Sequence, residues 1–416
     1  MIVKYEIFLK FSLFMFPIWI ILGPASLNFF SILFSFYALL NIKKFKVIIR
    51  ENAYFFFLFF GFIVFIFPIN SIDFENSFIK YISFFRFVLM FFGIIFLLEK
   101  NFLNIYNIKK FFLFIIIIIS IDVIKEYITG TNIFRYESAY PGRIASFTND
   151  ELIIGYIFTF IVLFSIDFMH KNLNRPKFFI YFSLIILISF MIGERSNFIK
   201  LLILLIFFSM FFLKLNSNKL KLKFIKYTFY SIFVISVFFI ALKDSKQARK
   251  VYPFFKNIEI NNIDIQNLKD KFDKSKHAPH YLAAIDIFNN YPIFGIGINN
   301  FYKESSKEIY FNDNLTFGSS RSSTHPHQIY LEILSETGIS GLIYFILIFL
   351  YPIFKIIKIR NFSDKKLIFS HLMLHIFFIF PVLPTGSFFG TIYGIPFWLN
   401  LACLIYFVNE SNKIKS

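Results

Sequence analysis

The chain is a succession of apolar runs, each about as long as the hydrocarbon thickness of a bilayer. Taking roughly 20 residues as the length that crosses ~30 Å of hydrocarbon, spans are expected near residues 5–22, 25–40, 53–70, 78–98, 109–127, 151–169, 178–193, 197–213, 224–242, 328–354, 367–384 and 388–408. Backbone amides find no partner in lipid, so every span is expected to be helical. The fold class that follows is all-α: a polytopic membrane protein of about twelve transmembrane helices, with one large loop outside the membrane. A soluble domain is excluded by the composition, 57% hydrophobic and only 16% charged across 416 residues. The 69 phenylalanines occur with abundant Ile, Lys and Asn, and are read as packing and lipid-facing surface.

The net charge of +18 invites a nucleic-acid partner, but the placement of the charges argues otherwise. Lys43, Lys44, Lys46 and Arg50 fill the second loop, Lys100, Lys109 and Lys110 the fourth, and Lys171, Arg175 and Lys177 the sixth. Lys214, Lys219, Lys221, Lys223 and Lys226 fill the eighth loop, and Lys355, Lys358, Arg360, Lys365 and Lys366 the tenth. The alternate short loops are nearly free of lysine, and one carries Asp73 and Glu75. This is the positive-inside pattern, and it predicts both termini in the cytoplasm of a cell whose inner membrane holds the chain. The single cysteine, Cys403, lies in an apolar run and excludes a disulfide framework. The first apolar run is read as an uncleaved span, because it lacks a small-x-small cleavage site and ends at Gly23-Pro24.

Three regions are expected: a membrane bundle over 1–242, a large outer loop over 243–327, and closing membrane helices over 328–416. Loops of such length usually carry function. Within this one, 280–290 reads as a short helix with Tyr281, Ile285 and Phe288 on one side, stopped by Tyr291-Pro292. Gly295-Ile296-Gly297 lacks the third glycine and the βαβ setting of a dinucleotide loop, and reads as a turn.

The candidate chemistry lies in the outer loops. Arg135 and Arg143 occupy the fifth loop, Glu194 and Arg195 the tight seventh, and Arg321, His325 and His327 close the ninth. Cations on that side oppose the charge bias. Bound anions explain them, since guanidinium forks match phosphate oxygens, and headgroup anchoring explains them equally; Arg195 is read as an anion ligand and Arg135 as an anchor. Arg86 lies inside the fourth span, where a charge is expensive, and is either functional or paired internally, for example with Asp122. His325 and His327 are spaced to offer two metal ligands, with Glu332 and Glu336 beyond them, or His327 caps the following helix. His371 and His375 share a helix face and read as a metal pair or as buried histidines, and His170 reads as solvent-facing.

These residues resemble a known family. His327-Gln328-x-x-Leu331 followed by Glu336-x-Gly338-x-x-Gly341 is similar to the signature of the O-antigen ligase and polymerase superfamily. Arg143-x-x-x-Phe147 with Asp150, Glu151 and Gly155 resembles its arginine-bearing loop, and Gly193-Glu194-Arg195-Ser196 its second arginine. Asn290-Tyr291-Pro292-x-x-Gly295-x-Gly297-x-x-Asn300-Phe301 resembles the turn in its large outer loop. Gln328 stands where asparagine is frequent, Asn149-Asp150-Glu151 replaces a Pro-Asn, and His280 sits near a common arginine. The resemblance implies an inverting glycosyltransferase that needs neither metal nor cofactor and works at the periplasmic face. The donor it implies is a glycan on undecaprenyl diphosphate. The acceptor is lipid A-core in a ligase, or a second lipid-linked glycan in a polymerase. His327 would be the catalytic base and Arg143 and Arg195 would bind the diphosphate. Arg86, Glu151, Glu194, His280, Arg321, His325 and Glu336 are expected in support. A transporter or flippase and a non-catalytic assembly partner are the other classes the span count allows.

Overall fold

A computed structural model describes residues 2–100, 105–140, 142–151, 153–173, 175–212, 265–312, 314–357 and 365–413. The span expected at 224–242 and the loop segment 243–264 lie outside the described residues, as do the lysines of the eighth loop. The described chain forms α1 (Ile2–Phe14), α2 (Phe16–Ile21), α3 (Pro24–Leu40), α4 (Phe45–Glu51), α5 (Ala53–Phe65), α6 (Phe74–Glu99), α7 (Ile105–Thr129) and α8 (Ile154–Asn172). It continues through α9 (Arg175–Ile192), α10 (Arg195–Phe212), α11 (Ile265–Asp273), α12 (Ala278–Asn290), α13 (Phe301–Ser305), α14 (Ile329–Ile357), α15 (Lys365–Phe378) and α16 (Thr391–Lys413). Among the described residues there is no β-strand, only an isolated bridge between Thr131 and Glu137.

Among the described residues, five helical segments are long and apolar enough to cross a membrane: Ala53–Asn70, Phe74–Glu99, Ile154–Asn172, Ile329–Ile357 and Thr391–Ser411. Pro24–Leu40 with Ile42–Glu51, bent by 76°, makes a sixth if the pair is one span. The protein is therefore an all-helical membrane protein. Helix α7 matches an expected span but carries Lys109, Asp122 and Glu126, all buried. Lys109 Nζ lies 2.5 Å from Asp167 Oδ1 of α8, so one buried charge answers the other.

The described chain divides into two interleaved units. One takes in described residues of 1–27, 101–259 and 361–377, and the other those of 28–100, 260–360 and 378–416. In the first, α7, α8, α9 and α10 pack on one another. His371 and His375 of α15 are fully buried there, His371 edge-on to Phe164 at 4.8 Å. His170 is not solvent-facing as expected, because it packs against Phe178 and Phe208 at 5.2 and 5.9 Å.

In the second unit α16 lies along α6, α14 packs on α5, and α12 rests on α14. Helix α12 buries His280, Ala283, Ala284 and Ile287, not the expected face of Tyr281, Ile285 and Phe288; Ile285 is exposed. The reason is steric: alanines let the helix approach closely, and Ala283, Ala284 and Ile287 join Ile296, Phe301 and Tyr310 in one apolar cluster.

Helix α14 is broken at Gly338, which takes φ 65° and ψ −170°. The turn at 290–297 fills the break. Ile296 N–H donates to Ser335 O (3.1 Å), Gly297 N–H to Glu336 O (2.9 Å), and Ile339 N–H to Pro292 O (2.9 Å). A Cβ at position 338 would stand 2.3 Å from Ile293 O, so only glycine permits this docking. Irregular backbone in a membrane helix is tolerated where protein groups satisfy it. The two glycine-bearing motifs of the second unit are thus halves of one backbone joint.

Candidate active site

The first unit builds an arginine site from α7 upward. Asp122 accepts from Ile133 N–H (2.7 Å) and Ser146 Oγ–H (2.6 Å), and Glu126 accepts from Ala145 N–H (3.0 Å) and Ser146 N–H (2.7 Å). Two buried carboxylates therefore fasten both ends of the loop that carries Arg143. Asp122 accordingly serves this loop, with a hydrogen bond to each of its oxygens.

This loop is tied to the α9–α10 junction. Ile144 N–H donates to Ile192 O at 3.0 Å. Gly193 has φ 81°, and a Cβ there would lie 2.4 Å from Gly142 O. Glu194 projects from this junction, is buried, and accepts from Gly155 N–H (3.2 Å) and Asn197 Nδ2–H (2.5 Å). Arg143 Nη2 lies 3.4 Å from Glu194 Oε1 while 37% of the Arg143 side chain stays exposed. Burial raises the Glu194 carboxyl above its ordinary value, against the pull of Arg143 and of its hydrogen-bond donors. Arg195 opens α10 and is exposed, as is Glu151 at the end of the 3-10 turn Ser146–Glu151. Lys200, one turn further along α10 and buried, was not singled out from the sequence; its Nζ stands 5.5 Å from the Phe377 ring centre.

The Gly193→Ala variant is expected to lose about 1–3 kcal/mol, the cost of a non-glycine residue held in a sparsely populated backbone region. Gly130→Ala, with φ 82° but open space around it, is the control for left-handed strain without a clash. Thermal unfolding in detergent should show a larger fall in Tm for the first variant than for the second; equal falls would deny the close approach.

The second unit holds the imidazoles. His327 takes φ 57°, left-handed backbone that a non-glycine residue adopts only when its surroundings impose it. It does not cap α14. Gln328 does so, its Oε1 accepting from Leu331 N–H at 3.0 Å. The glutamine thus caps the helix, and His327 is left to face the loop. Its ring centre lies 4.3 Å from that of His325, 5.2 Å from His280 and 5.4 Å from His277. Its Nε2 is 3.2 Å from Ser323 Oγ. Burial, then the neighbouring imidazoles, pushes His327 down to about 3, and His325 to about 4. His277 is lowered for the same reasons. A neutral His327 at physiological pH is therefore the base form, with a lone pair available.

His277 was missed in the sequence. The signal was present: His277 and His280 are three apart at the start of a helix and share a face. The other candidates are more occupied. The Arg321 guanidinium contacts Ser306 O, Lys307 O and Glu308 Oε1, and clasps the segment 306–308. Glu336 Oε1 accepts from Phe301 N–H (3.3 Å), and Glu332 accepts from Phe388 N–H (2.8 Å) and from Ser387 Oγ–H. Arg86 donates to Thr391 Oγ1 at 2.9 Å and lies over the Phe87 ring. Among the described residues no group of His, Cys, Asp and Glu side chains is arranged to hold a metal ion.

The sequence was then compared with known proteins. Residues 153–346 match the family model described as O-Antigen ligase. The matched stretch reaches from the start of α8 to the middle of α14, and includes Glu194, Arg195, His280 and His327. Over that stretch the chain is similar to the O-antigen ligase family. No curated protein matches it.

Proposed function

We propose that the protein is an inverting glycosyltransferase of the inner membrane that, at the periplasmic face, moves a glycan from undecaprenyl diphosphate to the lipid A-core of lipopolysaccharide. The observation that carries this reading is His327, an imidazole on left-handed backbone at the entrance of a membrane helix, surrounded by the rings of His277, His280 and His325. In this reading Arg143 and Arg195 bind the donor diphosphate, and His327 serves the acceptor. His327 takes the proton of an acceptor hydroxyl. The oxygen attacks the anomeric carbon, and the bond to the diphosphate oxygen breaks with its electron pair leaving on phosphate. The guanidinium groups stabilise that developing charge. Attack opposite the leaving group inverts the anomeric centre. The products are a glycosidic bond, undecaprenyl diphosphate and a proton on imidazole that passes to water. No step in this scheme requires a metal or cofactor.

Glu194 fits the scheme as the stand-in anion for Arg143 while no diphosphate is bound. The charge pattern of the loops supports a bacterial inner-membrane location with both termini cytoplasmic and this chemistry facing the periplasm.

A polymerase joining lipid-linked repeats is the second reading, because the family signature is shared. Reconstitution distinguishes the two. Proteoliposomes receive a synthetic lipid-diphosphate glycan, with lipid A-core in one tube and a second lipid-linked unit in another. Capped lipid A-core is the expected product. A ladder of repeats would make the protein a polymerase, and flux of the lipid-linked glycan without any bond formation would make it a transporter.

A further inference from the structure

The tautomer of His280 is settled by its partner. Its Nδ1 lies 3.0 Å from the carbonyl oxygen of Arg321. A carbonyl only accepts, so Nδ1 carries the hydrogen, and the neutral ring keeps its lone pair on Nε2. His280 is buried, with its ring centre 5.2 Å from that of His327. Protonated His327 would have two N–H donors. The Ser323 hydroxyl stands at Nε2, which leaves the second donor to be answered by a neighbouring ring.

We infer that His280 is a positioning residue for His327: its Nε2 lone pair receives the hydrogen bond that the His327 imidazolium offers once it has taken the acceptor's proton. The inference rests on the transferase reading and adds a residue to it. It follows the general pattern in which a catalytic base is oriented by a third group, here a neutral imidazole instead of a carboxylate. The bond strengthens when His327 becomes charged, so it favours the transition state over the resting enzyme. The groups facing His327 are His277 and His280 from the start of α12, with Tyr281 stacked on His277, and Ser323 and His325 from its own segment, with Lys80 of α6 acting on His325. Among these, His280 is the ring whose lone-pair nitrogen is specified by its hydrogen bond to a carbonyl, that of Arg321. His277 Nδ1, buried and without a partner among the described residues, is a second acceptor of the same kind.

The experiment separates the two nitrogens of His280. In His280→Asn the amide nitrogen stands near the place of Nδ1 and still donates to Arg321 O, while the Nε2 acceptor is gone. In His280→Gln the side-chain amide reaches the place of Nε2 instead. His280→Asn is expected to lower kcat by about 100-fold with KM for donor and acceptor unchanged and thermal stability retained, and His280→Gln to recover part of the rate. A readout free of activity is histidine-selective ¹⁵N NMR of the full chain in nanodiscs. Removing an acceptor from the protonated form makes His327 still harder to protonate, whereas removing a merely repulsive neighbour makes it easier. A downward shift of the His327 titration in His280→Asn supports the inference. An upward shift, or wild-type kcat in that variant, overturns it. Wild-type transfer by His327→Ala would instead defeat the transferase reading, and the NMR shift would still judge the pairing of the two rings.

Discussion

Replacing His327 with alanine is expected to reduce glycan transfer by about 10²–10⁴-fold, the range that a positioned general base supplies. The loss should fall on kcat, because the imidazole acts on a proton in flight and contributes little to holding either lipid. The variant should insert and fold, since the capping of α14 belongs to Gln328 and the α14 break is joined by backbone groups of 290–297. Removing a residue from left-handed backbone leaves the φ strain in place, so stability should change little. Transfer at the wild-type rate in reconstituted vesicles would remove the mechanism.

The pH dependence of this step has a definite sign. An ordinary histidine loses its base form as pH falls through about 6.5. His327 is lowered to about 3, so its neutral form persists far below that point. The transfer rate should therefore stay level from about pH 8 to pH 5. Stability behaves in the opposite way. Below about 6.5 the unfolded chain binds protons at His277, His325 and His327 that the folded chain refuses, so stability declines as pH falls from there toward about 4 and below. A pH–rate profile breaking near 6.5 in an intact protein would contradict the buried cluster.

Replacing Arg143 with alanine is expected to cost about 10²–10³-fold in kcat/KM, the scale of one lost donor to developing charge. Lysine at 143 should recover only part of this, because an ammonium cannot present the two parallel donors of a guanidinium. The variant also leaves Glu194 buried with only Gly155 N–H and Asn197 Nδ2–H as donors, which raises its carboxyl further and is felt as lower thermal stability. The pair Arg143→Ala with Glu194→Gln distinguishes the roles. If Arg143 serves only to neutralise Glu194, the double variant recovers the wild-type rate. If Arg143 binds diphosphate, the double variant recovers stability and stays slow. Full recovery of rate would end the assignment.

Much of this was legible before any coordinates. Apolar runs of bilayer length dictate helices, because lipid leaves the backbone no alternative. Arg143, Glu194, Arg195 and His327 stood out as polar groups in the loops of such a chain. The side of α12 that is buried was not legible: periodicity favoured the large residues Tyr281, Ile285 and Phe288, while packing chose the small ones that let two backbones approach. Arg86 was visible as an oddity, but its contact with Thr391 joins residues 305 positions apart. His277 stood three residues before His280, a spacing that carried the signal, but only folding brought His325 and His327 to the same place.

Local chemistry therefore determined the class of structure and the resemblance to the O-antigen ligase family, since those depend on hydrophobicity and on short motifs. Tertiary structure alone decided that Arg143 meets Glu194, that Gln328 and not His327 caps α14, and that four histidines from two segments share one cluster. Each of these depends on which distant backbones touch. Contact of that kind is set by close packing around glycine and alanine, through missing side-chain volume that no single stretch of sequence reveals.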